Sequence, residues 1–163
     1  MKKITITAYT FDELKGKAKE KARDWWRSRL DADTWSDQIT EDAAQVGIKI
    51  KGFDIGRGQE IDIEFKDSAS ATAALILKEH GEGCDTRKLA QDFTDTLEYQ
   101  RPELDEDARE EMGKELLKAL GEEYLKLITM EYHDRMSDEG VDEDLEGSEY
   151  LFTKEGSRTV ELK

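Results

Sequence analysis

Between positions 103 and 149 the chain carries 18 acidic and 5 basic residues, a net charge of −13 out of the −15 of all 163 residues. Composition alone would make such a segment a disordered tail. Yet Met112, Leu116, Leu117, Leu120, Tyr124, Leu127, Ile128 and Tyr132 recur inside it at three- and four-residue spacing, the signature of one apolar helix face. Both features are met together only by a long helix, predicted over residues 103–136, that is dry along one stripe and wet along its carboxylates. Helical stability in water comes mostly from packing that stripe, so the rest of the chain must offer it a surface. The stripe leaves two mates open: the chain's own sheet, or a second copy in a homodimer.

The remaining elements follow from period and punctuation. Ile4, Ile6 and Ala8 alternate with Thr5, Thr7 and Tyr9, predicting a half-buried strand. Thr10 and Glu13 match a capping box and open a helix expected to run to about Leu30, with Leu14, Ala18, Ala22, Trp25 and Trp26 at three- and four-residue spacing and Gly16 a slight weakness. A second helix opens near Thr34 or Ser36 and closes at Gly47. Ile48, Ile50, Phe53 and Ile55, then Ile61, Ile63 and Phe65, flank Gly56-Arg57-Gly58 as a hairpin, with the two glycines expected at positive φ and a bulge at Gly52. Asp67 or Ser68 caps a third helix through Lys78. A fourth starts at Asp85 or Thr86 and stops before Pro102. Ser137 caps a short helix, and residues 150–153 with 158–162 read as a closing hairpin. The sum is a single α+β domain over 1–163: a small, mostly antiparallel sheet covered on one face by helices.

Several chemistries find no support. One cysteine, Cys84, gives neither a disulfide nor a zinc quartet and is expected to pack beneath the connector before the fourth helix. No run approaches the roughly 18 apolar residues of a membrane span, and Met1, Lys2 and Lys3 lead into alternation where a signal peptide would have an apolar core; the expectation is a soluble, cytoplasmic protein. A chain this acidic repels a phosphate backbone, so direct nucleic-acid binding is not expected. Gly56-Arg57-Gly58 joins two strands, where a dinucleotide fingerprint needs a strand followed by a helix. Asp142, Asp144, Glu146 and Gly147 imitate the start of an EF-hand loop, but Thr153 stands where the bidentate Glu belongs. No cofactor, metal or catalytic set is assigned. Glu131 is read as the i,i+4 partner of Arg135.

What remains is a candidate partner-binding surface. Glu111, Glu115 and Glu122 project opposite the apolar stripe, and Asp138, Glu139, Asp142, Glu143, Asp144 and Glu146 extend the acidic field. Like charges this dense destabilise a fold by self-repulsion; a row of carboxylates standing in for phosphates would steer the chain onto the basic channel of a nucleic-acid-binding protein. Trp25 and Trp26 lie about 100° apart on one helix, so the two are not expected to share a core pocket, and Trp26 at the rim is a candidate anchor, unless Trp35 covers it.

Tyr9-Thr-Phe-Asp-Glu-Leu14 with Ala18, Lys19, Lys21, Ala22 and Trp25, then Gly52-Phe-Asp-Ile-Gly-Arg-Gly58, Glu79-His-Gly-Glu82 with Cys84, and Glu149-Tyr-Leu-Phe-Thr-Lys-Glu-Gly156 together resemble a family of small acidic proteins carried by bacteriophages and prophages. The likeness covers most of the chain in the same order and rests on structural motifs. It departs at Gly56, where members commonly carry an acidic residue. The resemblance implies a phage accessory protein acting in the host bacterial cytoplasm. Small acidic proteins of that kind are often inhibitors of host defence, such as CRISPR effectors or restriction enzymes. The expected function is therefore non-enzymatic inhibition of a nucleic-acid-directed defence complex. The alternatives are a small metal-dependent enzyme acting on nucleotides or protein, and a structural accessory protein whose acidity serves solubility.

Overall fold

The computed structural model describes residues 4–30 and 35–159. Among them are six α-helices, α1 (Lys17–Arg27), α2 (Asp37–Gln45), α3 (Ala69–Glu79), α4 (Asp85–Tyr99), α5 (Glu106–Met136) and α6 (Asp138–Glu146), and two strands, β1 (Ile48–Asp54) and β2 (Glu60–Phe65). The architecture is α+β, with a two-stranded antiparallel sheet and a long helix packed on it. The chain divides into a central unit, residues 36–130, and a terminal unit built from residues 1–35 and 131–163. Helix α5 is continuous through the division.

In the central unit the hairpin pairs Ile48 with Phe65 and Asp54 with Glu60, and the register shifts between Ile50 and Gly52, the expected bulge. The turn differs from expectation: the left-handed residue is Gln59 (φ 45°), not Gly56 or Gly58. Asp54 explains the glycines another way. Its Oδ1 accepts from the Gly56 amide at 2.7 Å, and a Cβ on Gly56 or Gly58 would stand 3.1 or 3.3 Å from that carboxylate. Both glycines make room for an acceptor that closes the turn. At the end of α2, Gly47 does take φ +82°, as a helix terminator should.

Helix α5 begins at Glu106, three residues later than the sequence suggests, because Asp105 takes the capping role: its Oδ1 accepts from the Ala108 amide at 2.8 Å. Leu116, Leu120 and Tyr124 join Val46, Ile48, Ile76 and Phe93 in the central core. Gly121 lets the helix meet the sheet closely, since a Cβ there would lie 3.2 Å from Ile63 Cδ1. The acidic helix therefore finds its mate within its own chain over these turns. Each fully buried leucine contributes roughly 1.5–3 kcal/mol, which offsets the like-charge repulsion of the opposite face.

In the terminal unit three expectations are corrected. First, residues 4–8 form no strand; only Tyr9 pairs, with Phe152, and Ile4 and Ile6 are exposed. Alternation specifies a strand only where a neighbour runs alongside, and among the described residues Phe152 is the one bridge partner of this segment. Second, the capping box encloses only a 3-10 turn (Phe11–Glu13), with the Glu13 carboxylate accepting from the Thr10 amide at 2.8 Å. Gly16 at φ +56° breaks the helix outright, and α1 restarts behind it. Third, the closing segment shows an isolated Phe152–Arg158 bridge with Thr153 N donating to Ser157 O at 2.7 Å; residues 160–162 of the expected hairpin lie outside those described. Phe11, Leu14, Ala22, Val141, Leu145 and Phe152 form this unit's core.

Candidate functional site

Helix geometry puts Glu111, Glu115 and Glu122 within a 40° arc over about 16 Å of helix. All three are exposed, and none has a cationic partner among the described residues. They stand opposite the buried Leu116, Leu120 and Tyr124, as the stripe required. The row is not purely acidic: Lys118 lies about 20° outside that arc, while Lys114 is engaged by Glu110 at 3.1 Å.

The second acidic group belongs to the terminal unit, and there the structure splits the predicted residues in two. Helix α6 buries Val141 and Leu145 and turns part of its acid set toward α1. Arg23 donates through Nε and Nη2 to the two oxygens of Asp142, at 2.6 and 2.7 Å. Arg27 pairs with Asp138 and with Asp24. Trp26 Nε1 donates to Asp144 at 3.0 Å. These contacts join the start and end of the chain, so Asp138, Asp142 and Asp144 hold the unit together. Glu139, Glu143 and Glu146, at i, i+4 and i+7, remain exposed and without cationic partners among the described residues. Because Asp142 and Asp144 sit in a helix, the EF-hand likeness fails on backbone geometry as well. Among the described residues no three His, Cys, Asp or Glu side chains stand where they could share a metal ion.

The tryptophans correct the helical-wheel expectation. Trp25 and Trp26 both pack against Tyr150, at centroid distances of 5.3 and 5.9 Å, and against each other. One aromatic residue placed between two indoles serves both. The cluster sits at the edge of the terminal core, with Arg158 over Tyr150 at 4.5 Å. Trp35 is buried and packs against Tyr132.

The Arg23–Asp142 contact carries a pH signature. Arg23's hydrogen bonds hold the Asp142 carboxyl below the usual carboxylate range. A depressed native pKa means that the unfolded carboxyl binds the proton first, so this stabilisation is complete above the unfolded value of about 4 and is lost as pH falls through the native one. Both side chains are about four-fifths buried. Arg23→Met is expected to cost roughly 1–3 kcal/mol near neutrality, between exposed and fully buried pairs, and less below pH 3. Urea titrations at pH 7 and pH 3 check this; an equal loss at both would assign the effect to packing.

A further constellation joins residues from four elements of the central unit and was not visible in sequence. Tyr124 donates to Asp42 Oδ2 at 2.9 Å, and burial, reinforced by that carboxylate, pushes the phenol's pKa well up. His80 Nδ1 lies 2.6 Å from Thr86 Oγ1, and its Nε2 lies 3.4 Å from Asp42 Oδ2. Asp42, His80 and Thr86 border a cavity of about 380 Å³. Cys84 lines the same cavity and is exposed, contrary to the expectation that it packs away: it stands at the N-cap of α4, where a backbone bond from Cys84 N to Gly81 O closes the connector. Glu131 does bond Arg135, at 2.5 Å.

No described helix is long and apolar enough to cross a membrane. No family model, curated protein or solved structure matches the chain.

Proposed function

We propose that the chain is a phage-encoded, non-enzymatic inhibitor that acts in the bacterial cytoplasm by binding a basic, nucleic-acid-binding defence complex through its acidic surface. The observation that carries this reading is the unpaired row Glu111, Glu115 and Glu122 on one rigid helix. Carboxylates that served the fold would be spent on internal partners, as Asp138, Asp142 and Asp144 are. Those of the row face water, accept self-repulsion, and present fixed negative charge at helical spacing. Such a field raises the rate of encounter with a cationic groove. The resemblance to small acidic phage proteins narrows the target to host machinery that handles foreign nucleic acid. Trp26 is less suited to anchor a partner than its sequence position suggests, since its ring is committed to Trp25 and Tyr150.

Affinity capture from bacterial lysate, with and without nuclease and at about 0.1 and 0.5 M salt, tests the proposal. The expected result is one nucleic-acid-binding complex, retained or enriched after nuclease and released at high salt. Capture that requires nucleic acid, or that survives high salt undiminished, would overturn the acidic-mimicry reading.

A further inference from the structure

We propose that the cavity walled by Asp42, His80, Cys84, Glu123, Leu127 and Met130 receives an arginine side chain offered by the protein partner. The inference rests on the reading that the partner is a basic protein, and adds which side chain it presents and where. The 380 Å³ cavity lies near the lower end of small-ligand sites, a size suited to one side chain.

His80 marks the wall as incomplete. Its side chain is nine-tenths buried, and Nδ1 is engaged by Thr86. Nε2 has no hydrogen-bond partner among the described residues, and a buried polar atom without one calls for an explanation. Where Nδ1 carries the proton and donates to Thr86, Nε2 is a lone pair 3.4 Å from a carboxylate oxygen, so two acceptors meet with no donor between them. Where the proton is on Nε2, the imidazole supports Asp42 as an acceptor. In either tautomer Asp42 has no lysine or arginine partner among the described residues, since Lys126 on the same wall stands against Asp85 and Glu123.

Charge selects a cation. Asp42, Asp85 and Glu123 line the cavity with Lys126, whose ammonium is held loosely at 3.7 Å from Asp85 and 3.8 Å from Glu123; Asp85 is engaged more closely by Lys88 at 3.1 Å, which leaves Asp42 and Glu123 to set the charge. Asp42 Oδ2 accepts a hydrogen bond from the Tyr124 hydroxyl, leaving Oδ1 without a partner among the described residues. Leu127 and Met130 are 42% and 55% exposed, apolar surface that would cover a methylene stem. A guanidinium fits this combination better than an ammonium: it is more weakly hydrated, and its planar fork of five donors can serve Asp42 and a neighbouring acceptor together. The larger cavity of the central unit, about 790 Å³, has Arg101 and Arg109 beside Glu98 and Glu106 on its rim, and its charge selects no ligand.

The test is NMR titration of the full chain with N-acetyl-arginine amide, against N-acetyl-citrulline amide as the uncharged analogue of the same shape. Saturable shifts of the His80 imidazole and Met130 methyl signals are expected with the arginine probe. Binding should fall about tenfold or more with the citrulline probe and in Asp42→Asn, the loss of a charged hydrogen-bond partner. Leu127→Arg, at an exposed position, should fill the cavity and block the probe by a second route. Equal response to citrulline, tighter binding of putrescine, or no response at His80 would overturn the assignment. Variants charge-reversed at Glu111, Glu115 and Glu122 should keep probe binding. If they also keep partner capture, the acidic-row reading fails alone; probe silence with normal capture sinks the cavity alone.

Discussion

Replacing Gly156 by alanine is expected to destabilise the terminal unit by roughly 2–5 kcal/mol, combining the left-handed penalty for a residue with a Cβ and the cost of overpacking. Gly156 holds φ +85°, and its added Cβ would fall 2.0 Å from the carbonyl oxygen of Ala18 and 2.7 Å from the carbonyl carbon. Neither obstacle is a flexible side-chain tip; both belong to the backbone of α1, whose residues Ala18 and Ala22 pack in the same core as Phe152. Relief therefore requires α1 or the 153–157 turn to move, and either movement disturbs the Tyr9–Phe152 pairing. All three tryptophans lie in this unit, so indole fluorescence during urea unfolding reports on it selectively. Gly52→Ala is the control: it has open space and no left-handed backbone, and a strand interior prefers alanine to glycine by roughly 0.5–1 kcal/mol. An unchanged midpoint for Gly156→Ala would mean that the turn is not held against α1.

What the sequence disclosed and what it hid divide along physical lines. Periodicity is a local property, and where packing followed it the expectation held: the stripe Leu116, Leu120, Tyr124 is buried, the Ile48–Phe65 hairpin forms with a bulge between Ile50 and Gly52, and Ser68 and Ser137 cap their helices. The failures concern partners distant in sequence. Residues 4–8 alternate like a strand, but alternation cannot supply a neighbour. Gly16 has the same composition whether it weakens a helix or breaks it, and only the surroundings decide which. Trp25 and Trp26 diverge on a wheel, yet Tyr150, more than a hundred positions away, sits where both can reach it.

The candidate surfaces show the same division. Exposure of Glu111, Glu115 and Glu122 follows from the stripe opposite them, so sequence was enough. That Asp138, Asp142 and Asp144 serve Arg23, Arg27 and Trp26 could not be read, because α1 and α6 are joined by contacts spanning over a hundred residues. Abundance was the obstacle: among 40 carboxylates, nothing local distinguishes one that holds the fold from one that faces water. The Asp42–His80–Tyr124 constellation was hidden for a related reason, each residue being unremarkable within its own helix or connector.

Reversing the exposed row, Glu111→Lys with Glu115→Lys and Glu122→Lys, moves the net charge from −15 to −9 and is expected to slow partner association about 100-fold at low salt. Electrostatic steering is worth roughly 10- to 1,000-fold in on-rate, and three reversals on one 16 Å row replace attraction by repulsion across the contact. The folded state should tolerate the change. All three positions face water, and the core they oppose is untouched; new repulsion with Lys114 and Lys118 costs a few tenths of a kcal/mol per pair. Helicity and urea midpoint serve as checks that the variant is folded. The dissociation rate should change less than the association rate, since charges at a rim act mainly on encounter, and the difference from wild type should shrink at about 0.5 M salt, where screening shortens their reach. Glutamine at the same three positions should lie between the two. Surface plasmon resonance against the captured complex separates the rates. Unchanged association in the lysine variant would remove α5 from the interface and return its acidity to solubility, whereas an on-rate loss that vanishes at high salt would identify long-range charge as its working part.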